Sequence, residues 1–387
     1  MPRLVITTVG TSLLTNQINQ RRDPNNWSSR LREMANVTQS TINQHHQDVN
    51  DIIQKLKKRA EDKLDNGSTL DIREASAELN GIYGLYDDQL EQGKQDIHWL
   101  ITTDTAQGQV AAEIVKDFLQ KKNFSVDIYQ PKNLSTASTQ QFTQGIDDLL
   151  QWIDEIIRGY KDSGYTICFN LVGGFKALQG YANTIGMFYQ AHEMIYIFES
   201  NLEVIKIPRL PIQVDKSVIK PVQFAMMAAN VGIDINLSEL KNVPETLLFI
   251  VDKEVTLSNW GRLTWNSCKQ EFLTGELLNF PYLIYENSFL NDFKRNNVNS
   301  LRKLELQEVL AEVSGSMVKF KGDSTRFSPQ LHFTRYEGQQ KCEGGLKKNQ
   351  LDHFYIKNTG WRVSCLTKDN KLHLRHYGEH DYVNNNP

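Results

Sequence analysis

Apolar and polar positions follow one repeating order over the first 210 or so residues: a short apolar run, a small polar turn, then a stripe at helical spacing. The apolar runs are Leu4–Thr8, Ile97–Thr103, Ser125–Tyr129, Tyr165–Phe169 and Met194–Phe198, each of strand length. Helical patterns follow them at Val110–Gln120, Thr139–Lys161 and Ala177–Tyr189. The second of these carries Ile146, Leu149, Leu150, Ile153, Ile156 and Ile157 on one face. Strands alternating with helices predict a parallel α/β sheet with right-handed crossovers. Leu202–Ile207 and Leu210–Val214, around Pro208-Arg209, predict a closing hairpin. Residues 17–95 interrupt the order with a polar helical excursion. One helix is expected over Asp51–Leu64, ended by Asn66-Gly67-Ser68, and a second over Thr69–Leu90.

From Lys216 to about Leu278 helical patterns dominate. Leu247–Val251 and Glu254–Leu257 predict a short hairpin, so 215–279 reads as a helical, winged-helix-like connector. Residues 280–387 read as a separate α+β domain. A strand is expected at Tyr282–Tyr285, a helix capped by Ser288, a second helix over Val298–Val313, then strands Asp352–Lys357, Trp361–Thr367 and Lys371–Tyr377. The turns Asn358-Thr359-Gly360 and Lys368-Asp369-Asn370 join the last three.

Composition changes this picture little. The 387 residues are 40% hydrophobic and 23% charged, enough for sizeable cores. No apolar run reaches the ~20 residues of a membrane span, and Met-Pro-Arg leads straight into a strand without a signal pattern. The four cysteines, Cys168, Cys268, Cys342 and Cys365, show neither metal spacing nor a disulfide framework, which fits a cytoplasmic protein with no metal. Charge does change it. The net −3 is uneven: residues 281–387 hold 16 Lys+Arg against 12 Asp+Glu and five of the nine histidines. That segment is the better candidate for touching nucleic acid.

Two strand ends carry the candidate chemistry of the first domain. Asn170-Leu171-Val172-Gly173-Gly174-Phe175-Lys176 leaves a strand and opens a helix. Glycines there let an anion approach backbone N–H groups at a helix N-terminus, and Lys176 adds a cation. The first strand runs likewise into Val9-Gly10-Thr11-Ser12-Leu13-Leu14-Thr15-Asn16. Neither is a GxGxxG fingerprint or a Walker A loop. In an open parallel sheet, both ends belong at the rim where ligands bind.

On Thr8–Leu14 and Asn170–Lys176 together, residues 1–214 resemble the CRISPR-associated Rossmann-like (CARF) sensor domains. The resemblance implies an α/β Rossmann-like fold, a homodimer, and a cyclic oligoadenylate, usually cyclic tetra-adenylate, bound across it. It places Ser12 and Lys176 against the ring and Gly10, Thr11, Gly173 and Gly174 in the backbone cradle. Asn170 opens the second motif, Asn16 ends the Val9–Asn16 stretch that carries the first, and Thr105 and Gln107, in the polar turn Asp104–Gln109, are candidates for a further wall by position.

The last hundred residues look like a RelE-type mRNA interferase. The likeness lies in Tyr355-Ile356-Lys357-Asn358-Thr359-Gly360-Trp361-Arg362-Val363-Ser364 and in Leu372–Tyr382. It implies a small α+β fold, a type III CRISPR accessory role for the fusion, and metal-independent cleavage of mRNA on the ribosome by attack of a ribose 2′-hydroxyl. No cofactor is implied; the cyclic oligoadenylate is the activator. Such a reaction needs charge stabilisation by Arg or Lys and proton transfer by His or Tyr. The resemblance puts Arg362 at the transition-state arginine, His380 at the basic strand end and Tyr382 at the late tyrosine. Strand alternation adds an outward basic face of His353, Lys357, Arg362 and Arg375, with Tyr377 also outward and His376 on the apolar side.

Other readings stay open. Ser12 and Lys176 could make the first domain a ring nuclease. Arg375…His380 and Arg326…His332 have the spacing of a HEPN ribonuclease, although the first follows a strand and the second contains Pro329. The connector could serve a ligand-controlled DNA-binding regulator, although it is not basic.

Overall fold

A computed structural model describes residues 1–198, 202–233, 235–251, 254–295, 298–356 and 359–387. The chain divides into two compact units, Met1–Val214 and Asp215–Pro387.

The first unit runs β1 (Arg3–Thr8), α1 (Ser12–Thr15), α2 (Trp27–Glu33), α3 (Gln39–His45), α4 (Gln47–Asn66), α5 (Thr69–Ala75), α6 (Ala77–Leu85), β2 (Ile97–Ile101), α7 (Ala106–Lys121), β3 (Ser125–Tyr129), α8 (Thr139–Asp162), β4 (Thr166–Asn170), α9 (Lys176–Phe188), β5 (Glu193–Ile197) and β6 (Val204–Pro208). Its sheet has the order β3-β2-β1-β4-β5-β6. The first five strands are parallel. Strand β6 is antiparallel to β5, so the closing hairpin is β5–β6, and Leu210–Val214 forms no strand. Alternate residues of β1 serve opposite faces. Val5 joins the core with α4 to α7, while Leu4 and Ile6 lie on the other side, where α8 and α9 pack.

The helical excursion is built by its caps. Ser68 and Asp71 form a capping box at the start of α5. The helix expected over Thr69–Leu90 is two helices, because Ser76 is extended and caps α6 through Leu79 N–H. Six apolar residues of α4, from Val49 to Leu64, are buried at helical spacing. The five larger ones contribute about 1.5–3 kcal/mol each on leaving water, Ala60 less, and this amphipathic face is what holds the excursion on the domain.

The second unit runs α10 (Pro221–Ala228), β7 (Leu248–Val251), β8 (Glu254–Leu257), α11 (Asn259–Leu273), β9 (Leu283–Tyr285), α12 (Asn287–Phe293), α13 (Ser300–Lys319), β10 (Thr334–Arg335), β11 (Asp352–Tyr355), β12 (Trp361–Lys368), β13 (Lys371–Glu379) and α14 (His380–Asn385). β7 and β8 make the expected hairpin. The other sheet has the order β10-β11-β12-β13-β9, antiparallel except for β9 beside β13. One hydrophobic core takes Phe224, Trp265 and Leu273 from the expected connector together with Phe289, Leu310, Val363 and Tyr377 from the C-terminal part. Ser288 does not cap α12; Glu286 is the cap residue, and the Ser288 hydroxyl donates to Arg375 O at 2.6 Å. Among the described residues no helix is long and apolar enough to cross a membrane.

The β12–β13 ladder carries a bulge. Ser364 pairs with His376 but Cys365 with Leu374, leaving Arg375 as the extra residue. Side-chain parity therefore shifts along β13. Tyr377 is 1% exposed in the core, and His376 lies on the face of Ser364 and Arg362. This reverses the outward Tyr377 and core-side His376 expected from uninterrupted alternation.

Candidate functional sites

The sheet order of the first unit reverses between β1 and β4. Outside the carboxyl ends of those two strands lies the switch-point crevice of an open α/β sheet. The two motif loops meet there. A Cβ on Gly10 would stand 2.9 Å from Gly174 N, and one on Gly174 3.1 Å from Thr8 Cβ. Gly174 also has φ +92°, a conformation that favours glycine. The Thr8 hydroxyl donates to Gly173 O at 2.6 Å, fastening one loop to the other.

Beneath them sits a residue the sequence did not single out. Glu78, from the start of α6, is fully buried. Its carboxyl accepts the Gly10 N–H at 2.8 Å and the Ser76 hydroxyl at 2.7 Å. Its backbone oxygen accepts from Asn170 Nδ2 at 2.9 Å. Glu78 thus ties α6 to both loops.

Above them an open cleft of about 190 Å³ is lined by Gly10, Thr11, Asn36, Thr103, Thr105, Thr136, Gly174 and Phe175, among others. The lining offers hydroxyls, an amide and backbone. Lys176 begins α9 beside Phe175, exposed and with no hydrogen bond or ion pair among the described residues, and no side chain caps that helix. Of the expected ligand residues, Gly10, Thr11, Thr105 and Gly174 line the cleft, and Gly173 lies beneath it on Glu78. Besides Lys176, the remaining four, Ser12, Asn16, Gln107 and Asn170, do structural work or lie at its margin. Ser12 Oγ accepts from Ala77 N–H at 3.4 Å. The side chain of Asn16 donates to Glu74 O and Ala75 O, that of Gln107 to Leu31 O, and that of Asn170 to Glu78 O.

In the second unit, His353 and Tyr355 of β11, Ser364 and Arg362 of β12, and His376 and Gly378 of β13 share one face. That face is covered rather than open. Arg362 is 3% exposed. Its Nη1 donates to Asn384 Oδ1 and its Nη2 to Tyr355 OH, each at 2.7 Å, and its plane lies over the Tyr355 ring. Its Nε is buried with no partner, and no carboxylate pairs with it among the described residues. A buried guanidinium held by neutral groups is costly by itself and suited to an anion that arrives.

Tyr336, from the loop after β10 and also unforeseen, packs against His353 with ring centroids 4.4 Å apart and planes tilted by 33°. Its hydroxyl lies beside Arg362 without a hydrogen bond of good geometry. Burial pushes that hydroxyl up and the arginine charge pulls against it. Burial, with Arg362 nearby, lowers the His353 imidazole to about 4, so His353 is neutral at pH 7 and is no cation. Lys348 lies over the Tyr336 ring and donates to Asn384 O at 2.8 Å.

The remaining candidates are dispersed. Arg375, the bulge residue, approaches Glu286 at 3.6 Å and lines a different cavity with Tyr285 and Gly344. His380 opens α14, exposed, its Nδ1 2.7 Å from Asp381. Tyr382 packs over Gly378, where a Cβ would stand 2.9 Å from its ring. Lys357 lies outside the described residues. Arg326 and His332 stand in separate short turns, and Arg375 and His380 on a strand and a helix start, so neither HEPN-spaced pair shares a helix.

Residues 73–210 match the family model described as CRISPR-associated protein (Cas_APE2256). The matched stretch runs from α5 through β6, taking in Glu78 and the Gly173-Gly174 loop but not the Gly10 loop, and it supports a CRISPR-associated protein.

Proposed function

We propose that this chain is a type III CRISPR accessory effector whose first unit binds a cyclic oligoadenylate and whose second unit cuts mRNA. The observation that carries the reading is the meeting of the Gly10–Ser12 and Gly173–Lys176 loops at the sheet's switch point, partly within a segment matching a CRISPR-associated family. A ring of adenylates offers phosphates to the backbone N–H groups and Lys176, and bases and riboses to the threonines and Asn36. A second copy of the chain would complete the site, as the CARF resemblance implies.

In the second unit, Arg362 would receive the scissile phosphate and offset the charge that builds on it. His353 and Tyr336 would form the adjoining wall, and aromatic rings suit a base that stacks on them. The ligand controls cutting only to the extent that it favours the active state differentially.

The test is translation of a defined message in vitro, with and without cyclic tetra-adenylate, read by primer extension beside lanes of naked RNA. Ligand-dependent cuts on translated message, lost in Arg362→Ala and in Lys176→Ala, are expected. Equal cutting with and without ligand would remove the regulatory half of the reading. Consumption of the ligand without any RNA cuts would make the first unit the enzyme.

A further inference from the structure

Beside Arg362, a second constellation has the form of a general base with its orienting groups. Asp292 of α12 is 2% exposed. One of its oxygens, Oδ2, stands 3.0 Å from His376 Nδ1 and accepts Tyr377 N–H at 3.0 Å. The other accepts the Tyr382 hydroxyl at 3.0 Å and pairs with Arg295 at 2.7 Å. Arg295 in turn covers the Tyr382 ring, 4.0 Å from its centroid. The Tyr382 hydroxyl is also 3.2 Å from His376 Nδ1.

A carboxyl oxygen that accepts fixes the proton on Nδ1 and makes Nε2 the accepting nitrogen. His376 lines a cleft of about 330 Å³ together with Lys341, Lys348, Tyr382, Asn384 and the chain's last residues. Register puts His376 opposite Ser364 and Arg362 opposite Gly378. His376 and Arg362 are therefore diagonal neighbours, about 7–8 Å apart on one face. That spacing suits a ribose and its 3′-phosphate with a hydrogen bond at each end.

We propose that His376 is the general base of the RNA-cleaving reaction, with Asp292 and Tyr382 as its positioning residues. The inference rests on the RNA-cleaving reading above. Nε2 takes the proton of the ribose 2′-hydroxyl as O2′ bonds to the adjacent phosphorus at Arg362. The P–O5′ bond breaks, and O5′ leaves with a proton from water. The products are a 2′,3′-cyclic phosphate and a 5′-hydroxyl.

The other histidines on this side lack these features. His353 has no carboxylate partner among the described residues and is held neutral by burial. His380 and its Asp381 lie in solvent, with side chains 54% and 92% exposed. Two structural choices produce the arrangement. The bulge at Arg375 turns His376 onto the Arg362 face, and the missing side chain of Gly378 admits the Tyr382 ring.

The experiment uses the full chain, translated message and cyclic tetra-adenylate, with rates measured from pH 5.5 to 8.5 and product ends identified. His376→Gln is expected to lose about 10²–10⁴-fold in cutting, with His373→Gln as the unaffected control. Asp292→Asn is expected to slow cutting and move the acid limb of the pH profile to lower pH. Asp292, Arg295, Tyr382, Lys341 and Lys348 face His376, and among these exchanges only Asp292→Asn removes a negative charge. Wild-type rates in His376→Gln overturn the proposal, as does loss in His380→Gln with His376→Gln intact. Should His376→Gln melt early, an unshifted profile in Asp292→Asn overturns it instead. No cutting by the wild type, with or without ligand, removes the parent reading as well.

Discussion

The junction of the two loops in the first unit is testable through one methyl group. A Cβ on Gly173 would stand 2.1 Å from Glu78 Oε1 and 2.6 Å from its Cδ. Glu78 is fully buried and held by Gly10 and Ser76, so it has nowhere to retreat. Gly173 has no left-handed φ, so Gly173→Ala adds bulk without backbone strain. Overpacking of this kind costs about 1–3 kcal/mol. If Glu78 is pushed off Gly10, an orphaned N–H adds about 1–3 kcal/mol. For a domain of this size each kcal/mol moves the midpoint by about 2–4 °C, so a fall of roughly 10 °C is expected.

The assay is a thermal melt of the first unit's transition, with affinity for cyclic tetra-adenylate measured alongside. Affinity should fall by about tenfold or more, since the Gly10 loop loses its anchor. Gly180→Ala, whose Cβ meets nothing within 4 Å, serves as the control and should not destabilise. Shortening the acid relieves the clash, so Gly173→Ala with Glu78→Asp should cost less than the two single changes summed. Strict additivity, or a Gly173→Ala protein that melts with the wild type, would refute the reasoning.

Four further outcomes are expected. Thr8→Val removes the buried hydroxyl bonded to Gly173 O and should cost about 1 kcal/mol in a denaturant titration. Lys176→Ala should leave the melting temperature unchanged, because Lys176 is exposed, while weakening cyclic tetra-adenylate binding in a filter assay. Burial lowers His98 from 6.5 to about 3 and His353 from 6.5 to about 4. The unfolded chain then binds the proton more tightly, so stability falls as pH drops below about 6.5 towards those values; His98→Phe and His353→Phe should flatten melting temperature against pH in that window. Gly378→Ala drives a methyl to 2.9 Å from the Tyr382 ring, and should lower RNA cutting with less effect when Tyr382 is already Ala.

The sheet of the first unit was legible because its central strands are short apolar runs, buried along almost the whole of β1, and its edge strand β3, which alternates, falls where Ser125–Tyr129 put it. The two glycine loops were legible because close approach of backbones demands glycine. Glu78 was not, since a glutamate early in a helix reads as solvated and nothing local marks one that reaches under two distant loops. Ser76 divided an apparently continuous stripe for the same kind of reason. A serine within a helical pattern and a serine that caps the next helix look alike until the chain direction is known.

In the second unit the decisive information is a single residue that shifts the register of a ladder. Alternation from Lys371 assigned His373, Arg375 and Tyr377 to one face, and it would have held for a regular ladder. One extra residue at Arg375 exchanges the faces of everything that follows: Tyr377 enters the core, and His376 turns to Arg362. Sequence offers no local sign of the bulge, because Arg375 is neither glycine nor a turn former. The sign is distant, in Asp292, eighty-four positions before His376, whose buried carboxyl meets His376 and Tyr382 as well as Tyr377 N–H and Arg295. A buried carboxyl that kept only Arg295 would be poorly satisfied. The bulge therefore brings the acid part of its hydrogen bonding, and a variant that regularises β13 by deleting Arg375 should lose the Asp292–His376 contact and the pH response of Asp292→Asn together.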